Sequence, residues 1–216
     1  MSSGPAISRR TAVSLAAAAI ILPGRLRAEL VRPRVRLQTA LGAIDIEVRL
    51  DRAPLTGGDF LRYVDSGKYA GGRFFRAVRA DNDANEHRIT VIQAAVAPGV
   101  ERFPPIQHET TLQTGLIHDT GAVSLGRTTP GTATASSFFI CAEASPALDH
   151  GGLRNPDGLG FAAFGHVVGG MDVVRAINVL PTTGVSASAV MVGQILADPV
   201  SIERAAVVDG AAASRL

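Results

Sequence analysis

The stretch that decides the fold is GAVSLGRTTPGTATASSFFICAEASPALDHGG (residues 121–152), followed by DGLGFAAFGHVVGGMDVVRAI (157–177). Short apolar runs at 122–125, 138–141 and 161–168 alternate there with turns rich in Gly, Pro, Thr and Ser. This spacing is typical of short strands in a closed or sandwiched antiparallel sheet. A helix is expected next, over residues 169–178, and Pro181 would stop it.

The first half of the chain predicts a hairpin, a helix and further strands. Residues 35–39 and 44–50 alternate apolar and polar side chains across a turn that contains Gly42, as a half-buried hairpin does. Thr56 is the expected N-cap of a helix that ends near residue 65. With strands at 74–78, before Gln93 and at 200–208, the pattern gives seven or eight strands and two helices.

Length and charge exclude some classes of protein. The 216 residues, 46% of them hydrophobic, suit a single domain with a sizeable core. Of the 21 basic residues, four arginines lie in the first 28 positions, where there are no acids, so the rest of the chain has 17 basic against 19 acidic residues. A nucleic-acid partner is therefore not expected. The single cysteine, Cys141, cannot form an internal disulfide and is expected to be buried.

The N-terminus predicts an export signal. Ser8-Arg9-Arg10 precedes an apolar run at 12–22, and Leu26-Arg27-Ala28 offers a small residue for cleavage. The paired arginines point to a twin-arginine signal over residues 1–28 and to a periplasmic or otherwise exported protein. An uncleaved membrane anchor is the alternative, but the run is shorter than the roughly 20 residues of a spanning helix, so no membrane span is expected after processing.

The sequence carries no recognisable metal or nucleophile motif. Asp81-x-Asp83-x-Asn85 imitates the opening of a calcium loop, but Glu86 stands where the glycine should be, so a solvated Asx-rich turn is expected. The loop side chains that could suggest zinc lack ligand spacing and are expected to face solvent; they are His108, Glu109, His118, Asp119, Asp149 and His150. No metal, no other cofactor and no GxSxG serine nucleophile is predicted.

Several segments together resemble the cyclophilin-type peptidyl-prolyl isomerases. They are RLDRAPLTGGDFLRYVDSGKYAGGRFFRAV (49–78), SLGRT (124–128), SSFFI (136–140), ALDHGG (147–152) and FAAFGHVVGGMDVV (161–174). The resemblance covers residues 35–208 and implies a mainly β fold, a closed eight-stranded antiparallel β-barrel capped by two α-helices. Residues 29–34 and 209–216 would then be terminal tails.

The resemblance also implies a groove and its residues. Arg76 matches the catalytic arginine, and Gln93 matches the glutamine that holds the substrate backbone if residues 80–88 are a loop insertion. The substrate-binding positions carried over are Phe139, Leu148, Val91, Thr90, Gly126, Arg127, Ser137 and Phe161. The family usually has His at Phe75, aromatics at Thr90 and Ala147, and Gln at Ser137, so several groove positions differ.

Two functions follow from this resemblance. The first is a monomeric peptidyl-prolyl cis-trans isomerase, of full or reduced activity, that acts on proline-containing polypeptides and assists the folding of exported proteins. Arg76 and Gln93 favour it. The second is a cyclophilin-like module that binds proline-containing segments with little or no turnover, and Thr90, Ser137 and Ala147 favour that alternative.

Overall fold

The computed structural model describes residues 32–208. The expected signal at 1–28, most of the expected tail at 29–34 and the tail at 209–216 lie outside the described residues. The strands are β1 Arg34–Thr39, β2 Gly42–Val48, β3 Arg73–Val78, β4 Val91–Ala95, β5 Ile106–Gln107, β6 Ala122–Gly126, β7 Thr132–Cys141, β8 Ala162–Gly169 and β9 Ile195–Val208. The helices are α1 Pro54–Asp65, α2 Thr111–Thr114 and α3 Met171–Asn178, with single 3-10 turns at Pro146–Leu148 and Ala189–Met191.

Eight of the strands close into an antiparallel barrel. Their order is β4-β3-β9-β1-β2-β8-β6-β7, and pairing of β4 with β7 closes the ring. The two-residue β5 adds to β7 outside the ring. Closure leaves the eight ring strands without a free edge. The expected fold class, a mainly β closed eight-stranded barrel, is confirmed.

Strand alternation fills the barrel with apolar side chains. Residues such as Val35, Leu37, Ile44 and Ile46 point inward and are fully buried. Phe60 of α1 reaches the same interior and packs against Phe138 and Phe164, with ring centroids 5.5 and 4.8 Å apart. The hydrophobic core therefore lies inside the barrel and under the first helix.

The two longer helices cover the barrel, and one starts earlier than the sequence predicted. Helix α1 packs against β7, β8 and β9, and α3 packs against β2, β3 and β4. The N-cap of α1 is Ala53, so the prediction of Thr56 as the cap was wrong. Glu109 satisfies this end instead, because its Oε2 accepts hydrogen bonds of 2.7 Å from both the backbone N–H and the hydroxyl of Thr56.

Helix α2 is a single turn that was not expected. Thr110 caps it in a capping box with Gln113, and Gly115 ends it at φ 69°. Across residues 32–208, the helices are all too short or too polar to cross a lipid bilayer.

Candidate active site

Four neighbouring strands place one residue each in a row on the outer face of the barrel. In register, Arg76 of β3 lies opposite Gln93 of β4, Gln93 opposite Phe139 of β7, and Phe139 opposite Ser124 of β6. Directly paired residues of antiparallel strands point to the same face of a sheet. The row therefore joins a cation, an amide, an aromatic ring and a hydroxyl on the side opposite the core.

A groove of about 280 Å³ runs over this row. Its apolar end is formed by Ile89, Val91, Phe139, Leu148 and Phe161. The polar side chains that also line it are Arg76, Gln93, Arg127, Arg154 and Asn155. The rings of Phe139 and Phe161 meet edge to face with centroids 5.3 Å apart, which fixes the shape of the apolar end. The groove therefore offers a small hydrophobic pocket next to guanidinium donors.

Two glutamines hold the guanidinium of Arg76. Its Nη1 donates to Gln93 Oε1 at 2.9 Å, while Nε and Nη2 both donate to Gln194 Oε1 at 2.9 and 2.6 Å. Burial and the nearby charge of Arg154 lower the pKa of Arg76 to about 10, so the group is still a cation at neutral pH. Because both partners are neutral amides, the positive charge of Arg76 is directed but not neutralised.

Gln93 is oriented by a residue behind the groove. Its Nε2 donates to the Ser137 hydroxyl at 3.0 Å, and that hydroxyl donates to the Ala94 carbonyl at 3.0 Å. Ser137 itself does not line the groove. Since Gln93 Oε1 accepts from Arg76, one chain of hydrogen bonds sets the positions of both predicted catalytic side chains.

Gly126 and Arg127, which the resemblance assigns to the neighbouring wall, both line the groove. A Cβ on Gly126 would lie 3.1 Å from the Ser137 carbonyl oxygen, so the close approach of β6 and β7 favours glycine here. Arg127 lies over the Phe161 ring and forms a bidentate pair with Asp157 at 2.8 and 2.9 Å. Hydrogen bonds from Arg127 lower the pKa of Asp157.

Thr90 is outside the groove, and Ile89 occupies the place expected for it. The Thr90 hydroxyl donates to Glu143 Oε2 at 3.1 Å, and its backbone N–H donates to Ser145 Oγ. Ile89, Val91 and Gln93 all line the groove because alternate residues of an extended segment point the same way. That alternation was the signal in the sequence that could have identified Ile89.

The inserted loop at 80–88 is fastened to a second loop across the groove. Arg154 Nη1 donates to Asp83 Oδ2 at 2.7 Å and to the His87 carbonyl at 3.0 Å. Asp83 also accepts from the backbone N–H groups of Asn85 and Ile89. The Asx turn is present, but the expectation that it is solvated was wrong for Asp83, since only 6% of its surface is exposed.

His118 supports the groove from behind. Its ring is 2.7 Å from Asp149 Oδ1 through Nδ1 and 3.0 Å from Ser124 Oγ through Nε2, and it stacks on Phe139 at 5.8 Å. His118 is 1% exposed and His108 is 5% exposed, so the expectation that these loop histidines face solvent was wrong. Both residues were present in the sequence, but no spacing rule indicated that they are buried.

Comparison with known proteins agrees with this architecture. The family model described as cyclophilin type peptidyl-prolyl cis-trans isomerase/CLD matches residues 34–207. The chain is 32% identical over 151 residues to peptidyl-prolyl cis-trans isomerase cyp18 of Streptomyces antibioticus, covering 68% of this chain and 84% of that one. It is 30% identical over 168 residues to a peptidyl-prolyl cis-trans isomerase of Acinetobacter baylyi, covering 76% and 83%.

The solved structures give the same fold. A cyclophilin type peptidyl-prolyl cis-trans isomerase of Cryptosporidium parvum, crystallised in the presence of the dipeptide Ala-Pro, is similar with a TM-score of 0.62 at 18% identity, over 82% of this chain and 99% of that one. The match across nearly all of the described residues shows that this chain belongs to the cyclophilin-type peptidyl-prolyl cis-trans isomerase family.

Proposed function

We propose that this chain rotates X-Pro peptide bonds with Arg76 as the hydrogen-bond donor to the twisted amide. The observation that carries the proposal is the guanidinium of Arg76, fixed by Gln93 and Gln194 beside an apolar pocket on the same face of the barrel. Family membership supports the reaction, and the contacts support the assignment of the residues.

The reaction needs a hydrogen-bond donor at the proline nitrogen, and no covalent bond forms or breaks. An X-Pro amide has a rotation barrier of roughly 20 kcal/mol because of its resonance. When the bond twists, conjugation is lost and the proline nitrogen becomes a better acceptor. A guanidinium whose direction is already set stabilises that state without reorganising, and the apolar end strengthens the interaction by lowering the local dielectric.

The apolar end would hold the proline ring, and Gln93 would hold the substrate backbone. Phe139, Leu148, Val91 and Ile89 offer the ring a hydrophobic surface. The Gln93 amide donates one N–H to Ser137, and its other N–H remains for a substrate carbonyl. Ser137 acts through Gln93, so its role is to position that amide.

The decisive experiment changes Arg76 and leaves the charge. Arg76→Lys removes the planar fork, and we expect the isomerisation rate to fall roughly a hundredfold, the usual effect of losing one preorganised donor. The rate is measured by NMR exchange on a short Ala-Pro peptide, with melting curves to verify folding. Arg175→Gln, at an exposed position of α3, is the matched control and should keep the wild-type rate.

Two outcomes would contradict the proposal. If Arg76→Lys kept a near-normal rate, another group would be the donor. If the wild type bound the peptide without accelerating exchange, the chain would be the proline-binding module instead.

We further propose that the protein acts as a monomer on exported polypeptides, after removal of residues 1–28. The basic pair, the short apolar run and the small residue at 28 support cleavage and export. Mass spectrometry of the protein from its own cells, by fraction, tests this proposal, and an intact N-terminus in the cytosol would refute it. The groove lies within one chain, which supports a monomer, and light scattering tests this oligomeric state.

A further inference from the structure

The groove has many hydrogen-bond donors and few acceptors. Within residues 32–208, the side chains that line it include three arginines and two asparagines, and no aspartate or glutamate. The carboxylates that pair with Arg127 and Arg154 belong to Asp157 and Asp83, which lie outside the lining. A ligand in the groove therefore meets cations and N–H groups.

Arg154 is built into this surface. Its side chain is 12% exposed, and Nη1 alone makes both of its hydrogen bonds, to Asp83 and to the His87 carbonyl. Nε and Nη2 have no acceptor in the part of the chain that the structure describes. One nitrogen thus fixes the guanidinium, and the other two are free to bind a ligand.

Asn155 and Asn85, which also line the groove, add neutral donors to those of Arg154. Asn155 Nδ2 is buried and has no hydrogen-bond partner among residues 32–208. Asn85 uses its Oδ1 to accept from the His87 N–H at 2.8 Å, which leaves its own Nδ2 as a donor. A buried donor without a partner costs free energy unless a ligand or water satisfies it. These groups lie on the two loops that Arg154 joins.

We propose that Arg154, Asn155 and Asn85 form a subsite for the carboxylate side chain of a substrate residue next to the proline. The proposal rests on the proposed function, because it assumes that the apolar end holds the proline ring. A carboxylate has several acceptor lone pairs and can take the two free nitrogens of Arg154 together with an asparagine N–H. The charge of Arg154 already reaches the neighbouring donor, since it helps to lower the pKa of Arg76.

The subsite predicts a ranking of substrates. Peptides with Glu, Gln or Lys immediately before or immediately after the proline are compared by NMR exchange, which needs no coupling protease. At the position that reaches the subsite, Glu should exceed Gln by about tenfold, the effect of one charge-assisted hydrogen bond, and Lys should be slowest. High salt should reduce the difference.

Two variants test the residues through the ratio of Glu to Gln rates. Arg154→Gln should bring that ratio close to one, and Arg175→Gln on α3 should keep it. Asn155→Asp places a negative charge where the substrate carboxylate would bind, without removing the contacts of Arg154. The Lys peptide should then be isomerised faster than the Glu peptide, and this test holds even if Arg154→Gln loosens the loops. Equal Glu and Gln rates in the wild type at both positions, or an unchanged ratio in both variants, would overturn the subsite.

The failure of the subsite and the failure of the isomerase proposal give different results. Rapid exchange of every peptide with no preference for Glu would remove the subsite and keep the enzyme. If no peptide is isomerised, the same peptides are titrated for binding. Tighter binding of the Glu peptide would then retain the subsite on a binding module, and equal binding would exclude it.

Discussion

Two neighbouring phenylalanines of β7 belong to different parts of the molecule. Phe138 points into the barrel, is fully buried and meets the rings of Phe60, Tyr69 and Phe74. Phe139 points outward to the groove, stacks on His118 and touches the edge of Phe161. One peptide unit thus separates a packing residue from a binding residue.

The difference shows how a closed barrel carries a site on its wall. Residues opposite Phe138 in register, Ala94 and Leu125, face the core. Those opposite Phe139 point to the other side of the sheet, where Gln93 lines the groove and Ser124 contacts the buried His118 ring. The inner row is apolar throughout and the outer row is mostly polar. A register shift of one residue would exchange the two rows, so burial of the inner row fixes the geometry of the outer one.

The largest expected effect comes from changing each phenylalanine to alanine. Phe138→Ala removes a ring from a packed interior and should reduce the free energy of unfolding by about 3–5 kcal/mol. Phe139→Ala should cost less stability, because one side of its ring faces the groove, and should slow isomerisation strongly. Urea denaturation and NMR exchange, on both variants at a temperature where both are folded, separate the two effects. If the two variants lost equal unfolding free energy and had equal isomerisation rates, the inner face would not serve packing alone and the outer face would not serve binding.

The pattern of short apolar runs and turns in the sequence was enough to predict an antiparallel sheet of seven or eight short strands, closed or sandwiched, since it needs only contacts between neighbouring strands. The resemblance added the closure and the place of Arg76, Gln93 and Phe139. Thr90 was assigned to the groove because it lies three positions before Gln93, as the aromatic does before the glutamine in the family, and only the direction of the extended segment reveals that Ile89 points there.

Three supporting contacts could not have been predicted, because each joins parts of the chain that no local pattern connects. Gln194 reaches Arg76 across 118 positions, and Arg154 reaches Asp83 across 71. Asp149 meets His118 across 31. In each case, the residue type is common in loops, and only the folded chain distinguishes a partner from a solvated side chain.

A smaller effect is expected from Gln194, which positions Arg76 from the side away from Gln93. Gln194→Leu removes the acceptor of both Nε and Nη2 of Arg76, and the loss of orientation should lower kcat by roughly tenfold. KM should change little, because Gln194 does not line the groove. Gln194→Glu keeps an acceptor for the guanidinium, but it pairs a negative charge with Arg76 and loses the hydrogen bond from Gln194 Nε2 to the Asn82 carbonyl. Its kcat should therefore recover only in part, to a value above that of Gln194→Leu, a recovery that a merely structural residue would not show. A change in KM alone would refute the positioning role.

The smallest effect should come from Asp51, a charge on the barrel that is not part of the groove. Its carboxylate accepts from Arg49 at 2.8 and 2.9 Å and from Arg32 at 3.0 Å, and these bonds lower its pKa from 3.8 to about 2. A carboxyl group whose pKa is lower in the folded state stabilises the fold at any pH above its pKa in the unfolded chain. For Asp51 this contribution disappears as the pH falls through about 2. Because the pair is at the surface, Asp51→Asn should cost less than about 1 kcal/mol at neutral pH.

The same variant gives a pH signature that separates the barrel from the groove. The difference in unfolding free energy between wild type and Asp51→Asn should be present at neutral pH, shrink on acidification below the ordinary carboxyl range and vanish near pH 2. Urea titrations across this range measure it, with the exposed Asp198→Asn as the matched control. The isomerisation rate at neutral pH should equal that of the wild type. A difference in stability that persisted unchanged to the lowest pH would show that Asp51 acts through its shape and not through its charge.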